Sequence, residues 1–357
     1  MKISLALLLL LASFLISTCS NTKPVRDTLS NADSLNVNPK IPEFYDSLHP
    51  LIDPSDYFEK FSNAIYRIQI TTYYTTYYFD QSQRITPAIL RYQRAAKLAK
   101  AKYEFNYSKT GTAVGLQYLT DRLILMTCEH VIFVPDSIYV FQDPLKTDDR
   151  SPILSVSVLN RKENYIFGAP RLNDFTVIAS DKEIDIALIT TDVPTEHYYN
   201  IATLDIPLGD ESRLKWGSNV YSFGFPIGTK MMVQGIVSNS TDNSYPTYNH
   251  NSLFNRGLSG GLVVALRGDV PNFEWVGISN ASSATTEYNL KPSRQTSFDL
   301  EERQIYSDTV FVEKQIQINQ GISKSVKPSV IRNFIKKNSQ TIDQAGFDLR
   351  NFVRKSS

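Results

Sequence analysis

Three short segments hold side chains suited to nucleophilic acyl chemistry, in the order His, Asp, Ser. They are residues 123–132 (LILMTCEHVI), 183–189 (EIDIALI) and 257–261 (GLSGG). His130 comes late in a strand-like apolar run, Asp185 lies between Ile184 and Ile186, and Ser259 stands in a glycine-rich turn. A serine hydroxyl is a weak nucleophile until a base takes its proton. An imidazole serves best as that base when a carboxylate holds its tautomer. His130 is therefore read as general base, Asp185 as orienting acid and Ser259 as nucleophile. A carboxylate between two isoleucines must be desolvated, which is costly unless it is paired, and an imidazole N–H is the natural partner. Asp174, Asp181 and Asp192 sit in more polar surroundings and are the fallback acids. Gly257 lets the chain turn so that its own N–H and that of Ser259 converge on an oxyanion, while Gly260 and Gly261 permit close backbone approach. The other histidines are His49, ahead of the domain, and His197 and His250, whose Tyr- and Asn-rich stretches read as surface loops.

GLSGG also satisfies G-x-S-x-G, the nucleophile elbow of α/β-hydrolases. That family runs Ser, acid, His. No histidine follows Ser259, so the reading fails on inventory. What surrounds the three residues resembles instead the trypsin-like serine peptidases, most closely their bacterial HtrA-type branch. Residues 110–115 (TGTAVG) and CEHVI resemble that branch's opening strand and histidine segment, and EIDIALI its D-L-A-L-L. Residues 223–228 (FGFPIG) with 233–238 (VQGIVS) are similar to its G-x-P-x-G…V-x-x-G-I-V-S stretch. GLSGG followed by Val276-Gly277-Ile278 is similar to its G-N-S-G-G…V-G-I. Residues 321–335 (GISKSVKPSVIRNFI) resemble its closing strand and helix.

The resemblance runs in the family's order from about Ser62 to Asn338 and implies an all-β fold. Expected are two antiparallel six-stranded β-barrels with the active site in the cleft between them. The peptidase domain is placed at 57–340, with barrels at about 57–200 and 201–340 and a tail at 341–357. The alternation of short apolar runs with turn residues suits such barrels. The resemblance implies hydrolysis of polypeptide through an acyl-enzyme, without cofactor or metal. Two alternatives stay open: a catalytically silent scaffold of the same fold, and an esterase-like hydrolase. By the same resemblance, a pocket-base residue falls six positions before the nucleophile, at Leu253, and the pocket walls fall near Ser279 to Ala281. Residues 249–258 hold no carboxylate and one cation, Arg256, so cleavage after a modest apolar side chain is expected rather than after Lys or Arg. Leu258 replaces an acid that receives the new N-terminus in enzymes activated by cleavage, so no such activation is expected.

The chain has 357 residues and a formal net charge of +1, which gives no reason to expect a nucleic-acid partner. Lys2 and a mostly apolar run, 3–16, read as a signal peptide, 1–18, too short to span a membrane. Its end, Ile16-Ser17-Thr18-Cys19, resembles a bacterial lipobox, which implies lipidation at Cys19, attachment to a membrane and a cell-envelope location, with a lean to the periplasmic face. Thr18 departs from the usual small residue at that position. Residues 19–56 read as a flexible tether. The remaining cysteine, Cys128, is expected to be a buried small hydrophobe without a disulfide partner.

One element falls outside the resemblance. Thr86 is a plausible N-cap, Pro87 a plausible first helical residue, and Ile89, Tyr92, Ala96 and Ala99 recur at helical spacing. From Arg84 to Lys102 there are six basic residues and no acid, so a basic amphipathic helix at 87–103, inserted between early strands, is expected. It is read as a surface helix, with contact to anionic lipid or a partner as the other reading. Residues 287–306 read as a long irregular loop, and Val330, Ile331, Phe334 and Ile335 as the buried stripe of a C-terminal helix. The few residues after it leave no room for the PDZ module common in HtrA-type enzymes.

Overall fold

A computed structural model describes residues 42–119, 121–167, 172–194, 201–239, 245–292 and 310–353. The signal peptide, Cys19 and His197 lie outside the described residues. Among the described residues, no helix is long and apolar enough to cross a membrane.

In chain order the first half contains α1 (Ser55–Asn63), β1 (Ile65–Tyr78), α2 (Pro87–Leu90), α3 (Ala95–Leu98), β2 (Ala101–Leu119), β3 (Arg122–Thr127), α4 (Glu129–Ile132) and β4 (Ser137–Phe141). It continues with β5 (Ile153–Phe167), β6 (Leu172–Asn173), β7 (Thr176–Asp181) and β8 (Ile186–Asp192). The second half contains β9 (Asn219–Gly224), β10 (Met231–Asn239), β11 (Thr247–His250), β12 (Leu262–Leu266), β13 (Phe273–Pro292) and β14 (Val310–Val326), then α5 (Pro328–Lys337) and α6 (Ser339–Gln344). The architecture is all-β, as expected.

The second half closes into a six-stranded antiparallel barrel, β10-β11-β14-β13-β12-β9. The first half departs from the expected closed barrel. Its strands form an eight-stranded sheet, β4-β5-β1-β2-β3-β8-β7 with β6 paired to β5. Among the described residues no strand ladder joins its two sides, and Asp174 is one bridge between them. Asp174, between β6 and β7, donates its N–H to the Asn164 carbonyl of β5 (3.0 Å), and its own carbonyl accepts from Thr191 Oγ1 of β8 (2.8 Å). A positive φ of 66° lets Asp174 face both ways, and its carboxylate satisfies the next N–H, that of Phe175, at 2.8 Å. This fallback acid is thus committed to structure.

The expected helix at 87–103 is also corrected. It consists of two four-residue helices separated by a turn, and from Ala101 the chain is strand. The Thr86 cap and Pro87 do start a helix, with Thr86 Oγ1 accepting from the Ile89 N–H at 3.3 Å. It stops because the long β1–β2 ladder begins at Ala101 opposite Tyr78, with Lys100 N–H already donating to the Tyr78 carbonyl at 2.8 Å. Tertiary pairing overrides the local period. Leu90, Ala95, Leu98 and Ala99 pack against Phe79, Ile85, Ile153 and Val156, while Tyr92 of the expected stripe is exposed.

Residues 42–54, within the expected tether 19–56, lie on the second barrel. The Tyr45 hydroxyl donates to Glu274 Oε2 (2.5 Å) and accepts from the Asp210 N–H (3.1 Å). Glu274 is in turn paired with buried Arg267 at 2.6 Å. At the other end, α5 starts on Pro328 and buries Ile331, Phe334 and Ile335. Residues 341–353, read as tail, bury Ile342, Phe347, Leu349 and Phe352, the last edge-on to Trp275. The expected loop at 287–306 is strand up to Pro292; residues 293–309 lie outside the described residues.

Candidate active site

The histidine is delivered by a change of element. β3 is buried from Leu123 to Thr127, with an apolar run from Leu123 to Met126, because it lies mid-sheet between β2 and β8. After Thr127 and Cys128 the chain turns into the short α4, with His130 its second residue. Lys109 of β2 holds that turn by donating from Nζ to the carbonyls of His130 (2.8 Å) and Phe133. Carbonyls at a helix C-terminus lack intrahelical donors, and a lysine supplies one.

Asp185 sits in the tight turn between β7 and β8 with φ 55°, a conformation that Asp tolerates better than most residues. Its carboxylate grips His130 twice. Oδ1 accepts the His130 backbone N–H at 2.8 Å, and Oδ2 lies 2.6 Å from Nδ1. A carboxylate only accepts, so Nδ1 bears the proton and Nε2 keeps its lone pair for chemistry. Oδ2 also accepts from Asn280 Nδ2 at 2.7 Å.

Ser259 Oγ donates to the Asn280 carbonyl at 3.1 Å. The described residues contain no hydrogen bond between Ser259 and the His130 ring. The structure thus joins His130 directly to Asp185, and links Ser259 to that carboxylate through Asn280.

The turn around Ser259 is shaped by carbonyls that are already taken. The Arg256 carbonyl accepts from the Ile227 N–H (2.8 Å), and the Leu258 carbonyl from the Gly261 N–H (2.9 Å). In a planar trans peptide the N–H points opposite to the carbonyl. The N–H groups of Gly257 and Ser259 therefore point the other way, and neither has an acceptor among the described residues. Glycine is required at 257: φ is 103°, and a Cβ would stand 2.3 Å from the Phe225 carbonyl oxygen.

The roles of two residues of this site escaped the sequence reading. Thr112, fully buried, takes the Ser259 carbonyl on its N–H (2.8 Å), donates Oγ1 to the Gly257 carbonyl (2.7 Å) and accepts from the Phe225 N–H (3.0 Å). It ties the first sheet to the nucleophile turn. Asn280 falls within the expected pocket walls at 279–281, but nothing in the sequence pointed to its bonds with Ser259 and Asp185.

The expected pocket residues differ in exposure. Leu253 is 57% exposed, whereas Ser279 is buried. The Ser279 carbonyl accepts from Gly260 N–H (2.7 Å) and its N–H donates to the Gly261 carbonyl (2.8 Å). Its hydroxyl has no partner among the described residues.

Cys128 is buried, as expected of a small hydrophobe, with Sγ 3.4 Å from the Ser279 carbonyl oxygen. Burial and the nearby Asp185 push its thiol well above the ordinary range. Sγ, a His130 nitrogen and an Asp185 oxygen lie within 4.8 Å of one another. Of these three, His130 Nδ1 and Asp185 Oδ2 are hydrogen-bonded to each other at 2.6 Å.

His250 is not the surface residue expected. It is buried on β11 on the same inward face as Tyr248, with Nδ1 2.9 Å from Ser252 Oγ and Nε2 2.8 Å from Ser325 Oγ. Burial pushes its pKa down to about 4 from 6.5. Above pH 6.5 the ring is neutral in folded and unfolded chains alike. As pH falls toward 4 the unfolded chain binds a proton that the folded one refuses, so stability declines, by roughly 3 kcal/mol across that window. His250→Gln, which cannot titrate, is expected to flatten this decline in urea melts at pH 7 and pH 4.5. An unchanged decline would show that other groups cause it.

Residues 109–271, a span containing His130, Asp185 and Ser259, match the model of the trypsin-like peptidase domain. With its closed six-strand barrel and half-barrel sheet, the fold is trypsin-like. No curated protein sequence matches the chain. Among solved structures it is similar to the serine endoprotease from Yersinia pestis, at 13% identity over 82% of this chain and 68% of that one, with a TM-score of 0.41. It is also similar to the Rv3671c protease from M. tuberculosis in its active form, at 11% identity over 82% and 89%, with a TM-score of 0.39. A third is Deg5, at 16% identity over 64% and 83%, with a TM-score of 0.35.

Proposed function

We propose that the protein is an exported, lipid-anchored serine endopeptidase acting through an acyl-enzyme. The observation that carries this reading is the two-point grip of Asp185 on His130, beside a serine turn whose two N–H groups have no acceptor among the described residues. In the proposed reaction Nε2 of His130 takes the Ser259 proton as Oγ attacks the scissile carbonyl carbon. The oxyanion is received by the N–H groups of Gly257 and Ser259. The C–N bond then breaks, and His130 returns the proton to the departing amine. Water, deprotonated by the same imidazole, releases the acyl group and restores the hydroxyl. Asp185 stays ionised throughout and keeps Nδ1 protonated.

The pocket for the acyl-side residue is proposed between Leu253 and Ser279, with a modest apolar side chain as its occupant. Incubation with an unfolded polypeptide, followed by mass-spectrometric mapping of new termini, tests the reading. Internal cuts are the expected result. Hydrolysis of esters without peptides would point to an esterase-like hydrolase instead.

One observation favours a second reading, a peptide-binding scaffold that does not cleave: Ser259 Oγ donates to Asn280 rather than to His130. Binding of the same polypeptide without new termini would select it.

The anchor is proposed at Cys19, as the lipidated first residue of the mature protein on the periplasmic face of a membrane. Cys19→Ala is expected to move the protein from the membrane to the soluble fraction. Unchanged membrane association of that variant would exclude lipidation as the attachment.

A further inference from the structure

The long β1–β2 hairpin does more than build the sheet. β2 meets the nucleophile turn at Gly111 and Thr112, where Thr112 N–H donates to the Ser259 carbonyl and a Cβ on Gly111 would lie 3.2 Å from that same oxygen. From there the strand leads away from Ser259. Lys109, Tyr107 and Phe105, at the alternate positions, line one wall of an apolar groove of about 320 Å³. The facing wall includes Phe133 and Ile138, on the chain that continues from the helix bearing His130.

Its lining is a run of aromatic and aliphatic carbon open to solvent. Tyr107 is 57% exposed, Phe133 47% and Ile138 38%. Behind them Tyr74 stacks on Phe105, ring centroids 5.5 Å apart. At the end nearest the site, the Lys109 ammonium is occupied by the carbonyls of His130 and Phe133, so its methylenes are what it adds to the wall.

The side of the scissile bond follows from the chemistry. The acyl half of a substrate stays on Ser259, next to Ser279 and Asn280. The amine half is protonated by His130 and leaves past it. A groove walled by the residues that follow His130 therefore faces the leaving half. At about 3.4 Å per residue, Lys109 and Tyr107 lie roughly 7 and 14 Å along β2 from Gly111, and an extended substrate advances by the same rise.

We propose that this groove is a specificity site for a large apolar side chain, aromatic or branched aliphatic, carried two to about five residues beyond the scissile bond on the leaving half of the polypeptide. The inference rests on the endopeptidase reading. It makes the enzyme select on both sides of the bond it cuts.

Internally quenched peptides with one fixed acyl half, and Phe, Gly or Lys at the second to fifth leaving-side positions, test it. A chromogenic anilide with the same acyl half and no leaving-side residues accompanies them. Phe at one of these positions is expected to raise kcat/KM about 10- to 100-fold over Gly, with Lys no better than Gly. In Ile138→Asp and in Tyr107→Ser, both surface substitutions, the Phe-to-Gly ratio is expected to fall to near one. A ratio near one in the wild type, with the anilide cleaved, would overturn the groove and leave the peptidase reading standing. A ratio retained in both variants would place the preference elsewhere and also overturn it. No turnover of anilide or peptide would overturn the peptidase reading and the groove together.

Discussion

Ser259→Ala and His130→Ala are each expected to lower kcat on a peptide bond by about 10⁶, and the double variant by no more than either alone. In the proposed mechanism the three residues act as one unit. Without the hydroxyl there is no acyl-enzyme, and without the imidazole the hydroxyl keeps its proton at neutral pH. What remains is the contribution of the Gly257 and Ser259 N–H groups and of substrate binding, which do not depend on either side chain. Both proteins should stay folded. Among the described residues Ser259 Oγ makes one hydrogen bond, to the Asn280 carbonyl, and the His130 side chain is 48% exposed, so neither truncation opens a cavity in the core. Circular dichroism and thermal melts close to wild type, with turnover lost, are the expected pair of results. Turnover within tenfold of wild type in Ser259→Ala would falsify the assignment of the nucleophile.

Asp185→Asn is expected to reduce kcat by about 10⁴ with little change in fold. Asparagine keeps the shape and is among the residues that tolerate the positive φ at this position. It cannot replace two acceptor oxygens. One must serve the His130 backbone N–H, and the other faces Nδ1 and the Asn280 amide. With an NH₂ group toward Nδ1 the imidazole is driven to the tautomer that protonates Nε2, and the base is lost. The loss should appear in kcat rather than in KM, because Asp185 orients the base and does not touch the substrate. Steady-state kinetics at pH 8 on one peptide would measure it, and a fall of less than tenfold would mean that His130 is oriented by something else.

The pairing of His130 with Asp185 was legible because each residue adjoins a buried strand, His130 shortly after β3 and Asp185 just before β8, and a carboxylate beside Ile186 needs a partner. The roles of Thr112 and Asn280 were not legible. Both contribute through backbone groups, or through contacts to residues distant in sequence, and Thr112 joins the first sheet to a turn 145 residues away. His250 was misread from its neighbours. Asn-rich surroundings suggested a loop, yet the alternation in Thr247-Tyr248-Asn249-His250 turns Tyr248 and His250 inward together. The segment 87–103 shows the opposite error, a genuine helical period ended by a ladder whose partner, Tyr78, is not adjacent in sequence. Likewise the apolar alternation that built the second barrel could not indicate that the strands of the first half would form an open sheet rather than a closed barrel.

The central claim is that Ser259 is a nucleophile activated by His130 and Asp185. A fluorophosphonate probe tests it most directly, because it phosphonylates a serine whose hydroxyl gives up its proton to a neighbouring base as it attacks beside an oxyanion site. Labelling of the folded protein followed by peptide mapping is predicted to place a single adduct on Ser259, formed slowly in Asp185→Asn and absent in His130→Ala and Ser259→Ala. An unlabelled wild-type protein, or an adduct on any other serine, would contradict the account.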